Sequence, residues 1–356
     1  METLKMILSH FDKDITINKV EVISNGLLNT TYKVISNDFS VILQKINTTV
    51  FPCVEQLMNN IKLVTDHIYA KTGKGMYVIP TKDGQLFYKH KNDYYRVYTF
   101  VENSVAYNRV ESPAVFHQAG LGFGKLQNDL ADFDSSKLYD VIKGFHDTVQ
   151  RFNYFLEAVE SNPVDRVHTA IDEIEFLKQN ENIAHIICDR LIDGRLPYRV
   201  SHNDTKLNNI LFDSETNEPV CAIDFDTVMM GSALFDFGDA IRYGANPAGE
   251  LGRDAEKPYL DVELFTAFLE GFLEQTNQVL TDEELDLLPE SVMVITYEQA
   301  IRFLDDYLRG DVYFGEAFKD INLLRARVQI DLLKDIIKKM PQLKAITDAC
   351  RRKYNR

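Results

Sequence analysis

At 356 residues and 45% hydrophobic side chains, the chain can bury a large core and has the length for two lobes or domains. Its net charge of −15 disfavours nonspecific attraction to nucleic acid or an anionic membrane surface. Cys53, Cys188, Cys221 and Cys350 form no C-x-x-C pair, so no zinc site or disulfide framework is indicated and all four read as buried, reduced thiols. The opening residues hold no apolar stretch of signal-peptide length, and nowhere do eighteen uncharged apolar residues run together; a soluble cytoplasmic protein is expected, with no protein partner implied.

Residues 15–46 read as three strands, 15–24, 30–36 and 39–46, broken by Asn25-Gly26 and Asn37-Asp38 turns. The loop between the first two contains a single glycine, Gly26, with Asn29 and Thr30 after it; alone it reads more readily as a plain hairpin turn. Gln44 and Lys45 are adjacent in the third strand, so alternation places them on opposite faces. A helix follows, with Pro52 suited to its first turn and Glu55 where the helix dipole favours an acid. Strands over 84–90 and 94–101 then lead into helical sequence.

Helical patterns cover 114–128, 145–159 and 170–189. The run Gly120-Leu121-Gly122-Phe123-Gly124 resembles a dinucleotide fingerprint only loosely, and close helix packing explains it better. Beyond residue 259 the chain reads as helical throughout, with a capping box at Thr281-Asp282-Glu283-Glu284 and an amphipathic run over 318–339.

The densest chemistry lies in His202-Asn203-Asp204-Thr205-Lys206-Leu207-Asn208-Asn209, followed fifteen residues after Asn209 by Asp224 in Ile223-Asp224-Phe225-Asp226. Phosphoryl transfer needs a carboxylate to accept the proton of an attacking hydroxyl and oxygen ligands to hold Mg²⁺ against a triphosphate. Asp204 fits the first role; Asn209 and Asp224 offer the oxygens, and His202 organises the loop. The apolar runs 210–212 and 220–223, joined by a polar turn over 213–218, read as a hairpin that brings Asn209 and Asp224 together. Asn and Asp are also ordinary turn residues, but the H-x-D-x-x-x-x-N spacing and the two flanking strands favour catalysis.

With these motifs the chain resembles the aminoglycoside phosphotransferase and choline kinase superfamily, small-molecule kinases built on the protein-kinase fold. More narrowly, 202–209, 223–229 and 236–246 resemble the N-acetylhexosamine 1-kinases. The resemblance runs from the loop near Gly26 to the segment around Tyr313. It implies an α+β, bilobal fold: a small antiparallel-sheet nucleotide-binding lobe over 1–101, a hinge about 99–103, and a larger, mainly helical catalytic and sugar-binding lobe over 104–356.

It also implies further roles. Gly26, Asn29 and Thr30 would belong to the flap over the nucleotide phosphates, and backbone groups near Thr99 and Val101 would bind the adenine edge. Lys45 would reach the α- and β-phosphates, unless Gln44 faces the nucleotide and Lys45 is a solvated strand residue. Glu55 is either the acid that pairs with the strand lysine or an exposed first-turn glutamate. Asp236-Phe237-Gly238-Asp239 invites comparison with the protein-kinase metal-binding triplet, but Asp224 already holds that position; Asp236 is expected to cap or brace the following helix and support the catalytic loop. Asp226 either orients the metal ligands or caps the turn before Gly231.

In the relatives, positions matching Arg302 and Tyr313 contact the sugar, whereas a helical salt bridge from Arg302 to Asp305 or Asp306 is the bland alternative. The implied reaction is ATP- and Mg²⁺-dependent phosphorylation of the C1 hydroxyl of N-acetylglucosamine or N-acetylgalactosamine, with Asp204 touching that hydroxyl. An aminoglycoside, choline or other amino-alcohol acceptor is the nearest alternative, and a non-catalytic nucleotide-binding module the more distant one.

Overall fold

A computed structural model describes residues 2–23, 29–252, 257–315 and 317–354. The chain forms two compact units, one made of 1–106, 132–143 and 210–230, the other of 107–131, 144–209 and 231–356.

The first unit begins with a short helix, α1 (Glu2–Leu8), and then strands β1 (Lys19–Ile23), β2 (Thr30–Ile35) and β3 (Ser40–Ile46). Helix α2 (Val54–Thr72) and strands β4 (Val78–Ile79), β5 (Tyr88–His90), β6 (Asp93–Thr99) and β7 (Ser104–Val105) follow. The main sheet runs β1-β2-β3-β6-β4, with β5 added to β6, and its described pairs are antiparallel. Register puts Thr31 opposite Gln44 and Gln44 opposite Arg96, while Thr30 faces Lys45 and Lys45 faces Tyr95. Period-two alternation therefore separates two sets of side chains. Val34, Val41, Leu43, Tyr95 and Val97 pack with Ile7, Leu8 and Phe11; the other face carries Gln44 and Arg96 and meets α2 at Met58.

Two strand expectations are revised. The first strand starts at Lys19, because Ile15 and Ile17 pack against the core without pairing; the strand expected over 84–90 shrinks to Tyr88–His90, since Gly84 occupies a turn at φ 82°. Pro52 precedes α2, whose N-cap is Cys53. That residue is exposed, contrary to the expectation that all four thiols are buried; Cys188 and Cys350 are buried and Cys221 is half-buried.

The second unit holds α3 (Pro113–Asp129), α4 (Thr148–Ser161), α5 (Ile171–Gln179), α6 (His185–Ile192) and β8 (Arg199–Ser201). One helix was expected over 170–189, but the side chain of Asn180 turns back onto the Phe176 carbonyl, and a 3₁₀ turn (Glu181–Ala184) separates α5 from α6. After residue 209 the chain returns to the first unit as β9 (Ile210–Asp213) and β10 (Pro219–Ala222), an antiparallel hairpin with Ile210 opposite Ala222. Strand β7 pairs with β9, which is why this hairpin belongs with residues before 106 rather than with a continuous second lobe starting at 104.

Helices α7 (Ala233–Gly244), α8 (Val262–Thr276), α9 (Asp282–Asp286), α10 (Leu288–Leu308) and α11 (Ile321–Lys353) complete the second unit. The expected capping box at Thr281 and Glu284 starts α9. The glycines of α3 are packing residues: a Cβ on Gly120 would lie 2.2 Å from the Phe268 carbonyl oxygen, and one on Gly124 would lie 2.8 Å from that of Phe272. From the facing helix, a Cβ on Gly271 would meet the His117 carbonyl at 2.2 Å. Phe237, Phe268 and Phe272 fill the space beside this contact. The antiparallel sheet of one unit and the helices of the other give the expected α+β class. Among the described residues no helix is long and apolar enough to cross a membrane.

Candidate active site

Strand β8 feeds the loop 202–209, where His202, Asn203, Thr205 and Asn209 are buried. Such a loop needs partners for its backbone, because an unpaired buried amide costs about 1–3 kcal/mol. Asp236 supplies two of them. One carboxylate oxygen accepts the His202 amide at 3.0 Å and Gln127 Nε2 at 2.7 Å; the other accepts the Asn203 amide at 2.8 Å and Ser201 Oγ at 2.9 Å. The Thr205 hydroxyl donates to the Asp236 carbonyl, and its amide donates to Asp239, itself paired with Arg242. Burial raises the pKa of the Asp236 carboxyl, outweighing the pull of His202 and the two amides. Capping of α7 falls to Ser232, so Asp236 braces the loop without capping the helix. The Asp-Phe-Gly triplet is wholly helical: a Cβ on Gly238 would meet the Ser291 carbonyl at 2.5 Å, which makes it a packing residue against α10.

Within this frame Asp204 is held from several sides. Lys206 Nζ lies 2.7 Å from Oδ1, Asn209 Nδ2 donates to Oδ2 at 3.1 Å and to the Asp204 carbonyl at 2.7 Å, and the Asp204 amide donates to His202 Nδ1 at 3.3 Å. Burial works to raise the Asp204 pKa, but the Lys206 ammonium, then His202 and Asn209, outweigh it and hold the carboxyl below its ordinary range. With its amide nitrogen committed to Asp204, Asn209 has its amide oxygen left as a possible ligand. Lys206 was not among the sequence candidates, although its place two residues after Asp204 was a usable signal.

In the first unit, Asp224 follows β10 in a left-handed conformation (φ 63°, ψ 58°) and is exposed, while Phe225, Asp226 and Thr227 are buried. Asp226 caps no turn. Its Oδ1 lies 2.6 Å from Arg96 Nη2, and its Oδ2 accepts Asn29 Nδ2 at 2.7 Å; Asn29 Oδ1 in turn accepts the Asn47 amide. Arg96 also donates through Nε to Gln44 at 2.9 Å, and Gln44 donates to Thr31.

Lys45 lies on the opposite face, ion-paired to Asp93 at 2.9 Å with its side chain 42% exposed, which corrects its selection over Gln44. Thr30 is exposed on that same side, and Thr31 replaces it as the inward residue. Glu55 is an exposed first-turn residue; Met58 is the α2 residue that reaches Arg96. The Thr99 amide is committed to the Tyr77 carbonyl, and the Val101 carbonyl accepts the Ser104 hydroxyl. Gly26 lies outside the described residues.

A second polar cluster in the helical unit surrounds Arg302. Its guanidinium sits 4.8 Å from the Phe145 ring centroid, 5.6 Å from Phe314 and 6.0 Å from Tyr313, whose side chain is otherwise exposed. Neither Asp305 nor Asp306 pairs with it: Asp305 bonds Arg309, and Asp306 accepts the Tyr313 and Phe314 amides. Its acidic neighbour is Glu298, 3.9 Å away and fully buried, which also holds His146 Nδ1 and Thr148 Oγ1 at 2.8 Å. Burial depresses the pKa of the adjacent Arg151, with the Arg302 charge adding to the effect. The His146 ring lies tilted against Phe235, centroids 4.9 Å apart, and the Phe235 ring approaches Gly231 beside Ser201, so the cluster lies one aromatic ring from the strand leading into the loop 202–209.

Comparison with known proteins fits this arrangement. The fold is similar to that of a microcompartment-associated aminopropanol kinase (14% identity, 96% of this chain and 98% of that one, TM-score 0.64). It is also similar to an amicoumacin kinase solved with AMP-PNP and Ca²⁺ (14%, 95% and 93%, TM-score 0.61) and to an ethanolamine kinase of Plasmodium vivax (14%, 87% and 82%, TM-score 0.56). Residues 19–272 match the model of one family over most of the chain, spanning β1, the loop 202–209 and Asp224. On that match the chain belongs to the phosphotransferase enzyme family.

Proposed function

We propose that this protein is a kinase that transfers the γ-phosphoryl group of ATP, with Mg²⁺, to the anomeric C1 hydroxyl of an N-acetylhexosamine, N-acetylglucosamine or N-acetylgalactosamine, giving the sugar 1-phosphate and ADP. The observation that carries the reading is the Asp204 carboxylate, kept ionised by Lys206 and oriented by Asn209 on a loop pinned by Asp236 and Asp239. Asp204 orients the acceptor hydroxyl and takes its proton as the O–P bond forms. Lys206, which neutralises Asp204 in the resting enzyme, is placed to meet charge on the phosphoryl oxygens.

Asn209 and Asp224 are the proposed metal ligands. Among the described residues there is no group of three or more His, Cys, Asp or Glu suited to a metal ion. A pair consisting of one amide oxygen and one carboxylate matches the way Mg²⁺ is held, with few protein ligands beside phosphates and water. The pairing of Ile210 with Ala222 runs the chain just after Asn209 beside the chain just before Asp224. When bound, the cation neutralises charge on the phosphates. The amicoumacin kinase bound to AMP-PNP and Ca²⁺ supports a nucleotide and a divalent ion.

For the acceptor, Arg302 with Tyr313, Phe314 and Phe145 supplies planar donors beside aromatic walls, suited to a polyhydroxylated ring and its amide. The alternative reading would set a cationic acceptor beside the Arg302 guanidinium, whose acidic neighbour Glu298 is already engaged by His146 and Thr148. That alternative draws support from the aminopropanol and ethanolamine kinases among the similar structures.

Phosphorus NMR of a reaction with ATP, Mg²⁺ and N-acetylglucosamine or N-acetylgalactosamine tests the proposal. An anomeric phosphate resonance is the expected result. ADP release that requires ethanolamine, choline or an aminoglycoside instead would move the assignment to the alternative. Asp204→Asn should abolish transfer while leaving nucleotide binding intact.

A further inference from the structure

Kinases commonly place a lysine on the third strand and pair it with a glutamate of the helix packed behind it. Here neither partner is in position. The inward residue of β3 is Gln44, the α2 residue that reaches the same place is Met58, and Lys45 and Glu55 are both directed elsewhere. The buried cation lies one strand over, in β6.

Arg96 is 1% exposed and each guanidinium nitrogen has a distinct contact: Nε to Gln44, Nη1 to Met58 Sδ at 3.8 Å, and Nη2 to Asp226. Asp226 is also buried, and its second oxygen is taken by Asn29. A carboxylate in that setting needs its counter-charge, because breaking a buried pair from one side leaves an uncompensated ion. The chain from Asp226 back to Asp224 is only two residues long and passes through the buried Phe225, so the position of Asp226 fixes the turn that carries Asp224. A non-glycine residue at φ 63° persists only where its surroundings over-determine it.

We propose that Arg96 is a positioning residue for the metal ligand: by anchoring Asp226 it holds Asp224 in its left-handed turn, replacing the missing strand-to-helix ion pair by a strand-to-turn pair. This rests on the kinase reading above, in which Asp224 binds the cation. The Arg96 charge acts on both carboxylates, more strongly on Asp226 than on Asp224, and so limits the repulsion between two acids lying two residues apart. Lys45 takes no part.

Calorimetric binding of AMP-PNP, with and without Mg²⁺, tests the inference without turnover. For Arg96→Met the enhancement of binding by Mg²⁺ should fall about tenfold or more, the range for loss of a group that orients a metal ligand, while binding without Mg²⁺ changes little. Arg96→Lys should fall between that variant and the wild type, since it keeps the charge and loses the three-way fork. The double variant Arg96→Met/Asp226→Asn, which removes both charges and with them the anchor, should show the same reduced Mg²⁺ enhancement without a buried unpaired carboxylate, and tests the idea even where Arg96→Met does not fold. An undiminished Mg²⁺ enhancement in Arg96→Met or, where that variant does not fold, in Arg96→Lys overturns the inference alone. Absence of any Mg²⁺ enhancement in the wild type overturns it together with the kinase reading.

Discussion

Asp236 accepts the backbone amides of both His202 and Asn203, one on each carboxylate oxygen, at 3.0 and 2.8 Å. Asn203 stands at φ 64°, so the loop turns sharply at the residue Asp236 grips, immediately before Asp204. Asp236→Asn retains one acceptor oxygen and loses the other, leaving buried donors unpaired. It should destabilise the protein by about 2–4 kcal/mol and lower turnover together with stability. Urea denaturation and steady-state rates on the same preparation check this; a variant with wild-type stability would show that the amides have other partners.

Lys206 lies against Asp204 and is half-buried with it, and Asp204, followed by Asp239, outweighs the desolvation that lowers its pKa. Lys206→Met removes a donor expected to strengthen as charge develops on the phosphoryl oxygens. A fall in kcat of about 10²-fold is expected, with a much smaller change in acceptor KM. A change in KM at constant kcat would instead make Lys206 a binding residue.

The Glu298 carboxyl is held below the ordinary glutamate range: burial opposes ionisation, but His146, then Arg302 and Thr148, outweigh it. A depressed folded-state pKa contributes stability above the unfolded-state value and loses it as pH falls through the folded one. Acid destabilisation should therefore be shallower in Glu298→Gln than in the wild type below about pH 4.3, on a lower starting stability. Denaturant midpoints measured in small pH steps provide the comparison, and parallel curves would remove Glu298 from the acid response.

Gly120 has no space for a methyl group, because the obstructing atom is a backbone oxygen of α8. Gly120→Ala should cost about 2 kcal/mol or more through separation of α3 from α8, despite alanine's better helix propensity. A thermal melt at or above the wild-type midpoint would contradict this packing.

The legible features were those encoded by local spacing. The hairpin over 210–222 followed from two short apolar runs around a polar turn, the capping box from Thr281 and Glu284, and the glycine run of α3 from its mismatch to any nucleotide fingerprint. Arg96 escaped notice because Tyr94-Tyr95-Arg96-Val97-Tyr98-Thr99 reads as an ordinary alternating strand. Which of its faces meets Asp226, about 130 residues away, depends on register and packing rather than on local pattern. The same ambiguity underlies Gln44 and Lys45: alternation predicts opposite faces but not which one is inward. The break at Asn180 was hidden by continuous helical periodicity on both sides, since one amide folding back on a carbonyl leaves that pattern undisturbed.

Cys53, exposed at the start of α2, sets the chain's reactivity toward alkylating probes. Cys188 and Cys350 are shielded, and burial pushes the Cys221 thiol up to about 11, leaving it protonated and sluggish at neutral pH. A maleimide dye added at modest excess should thus mark one thiol, on the helix whose Met58 touches Arg96. The unmodified sequence already carries a fluorescence handle with which to test the proposed nucleotide binding.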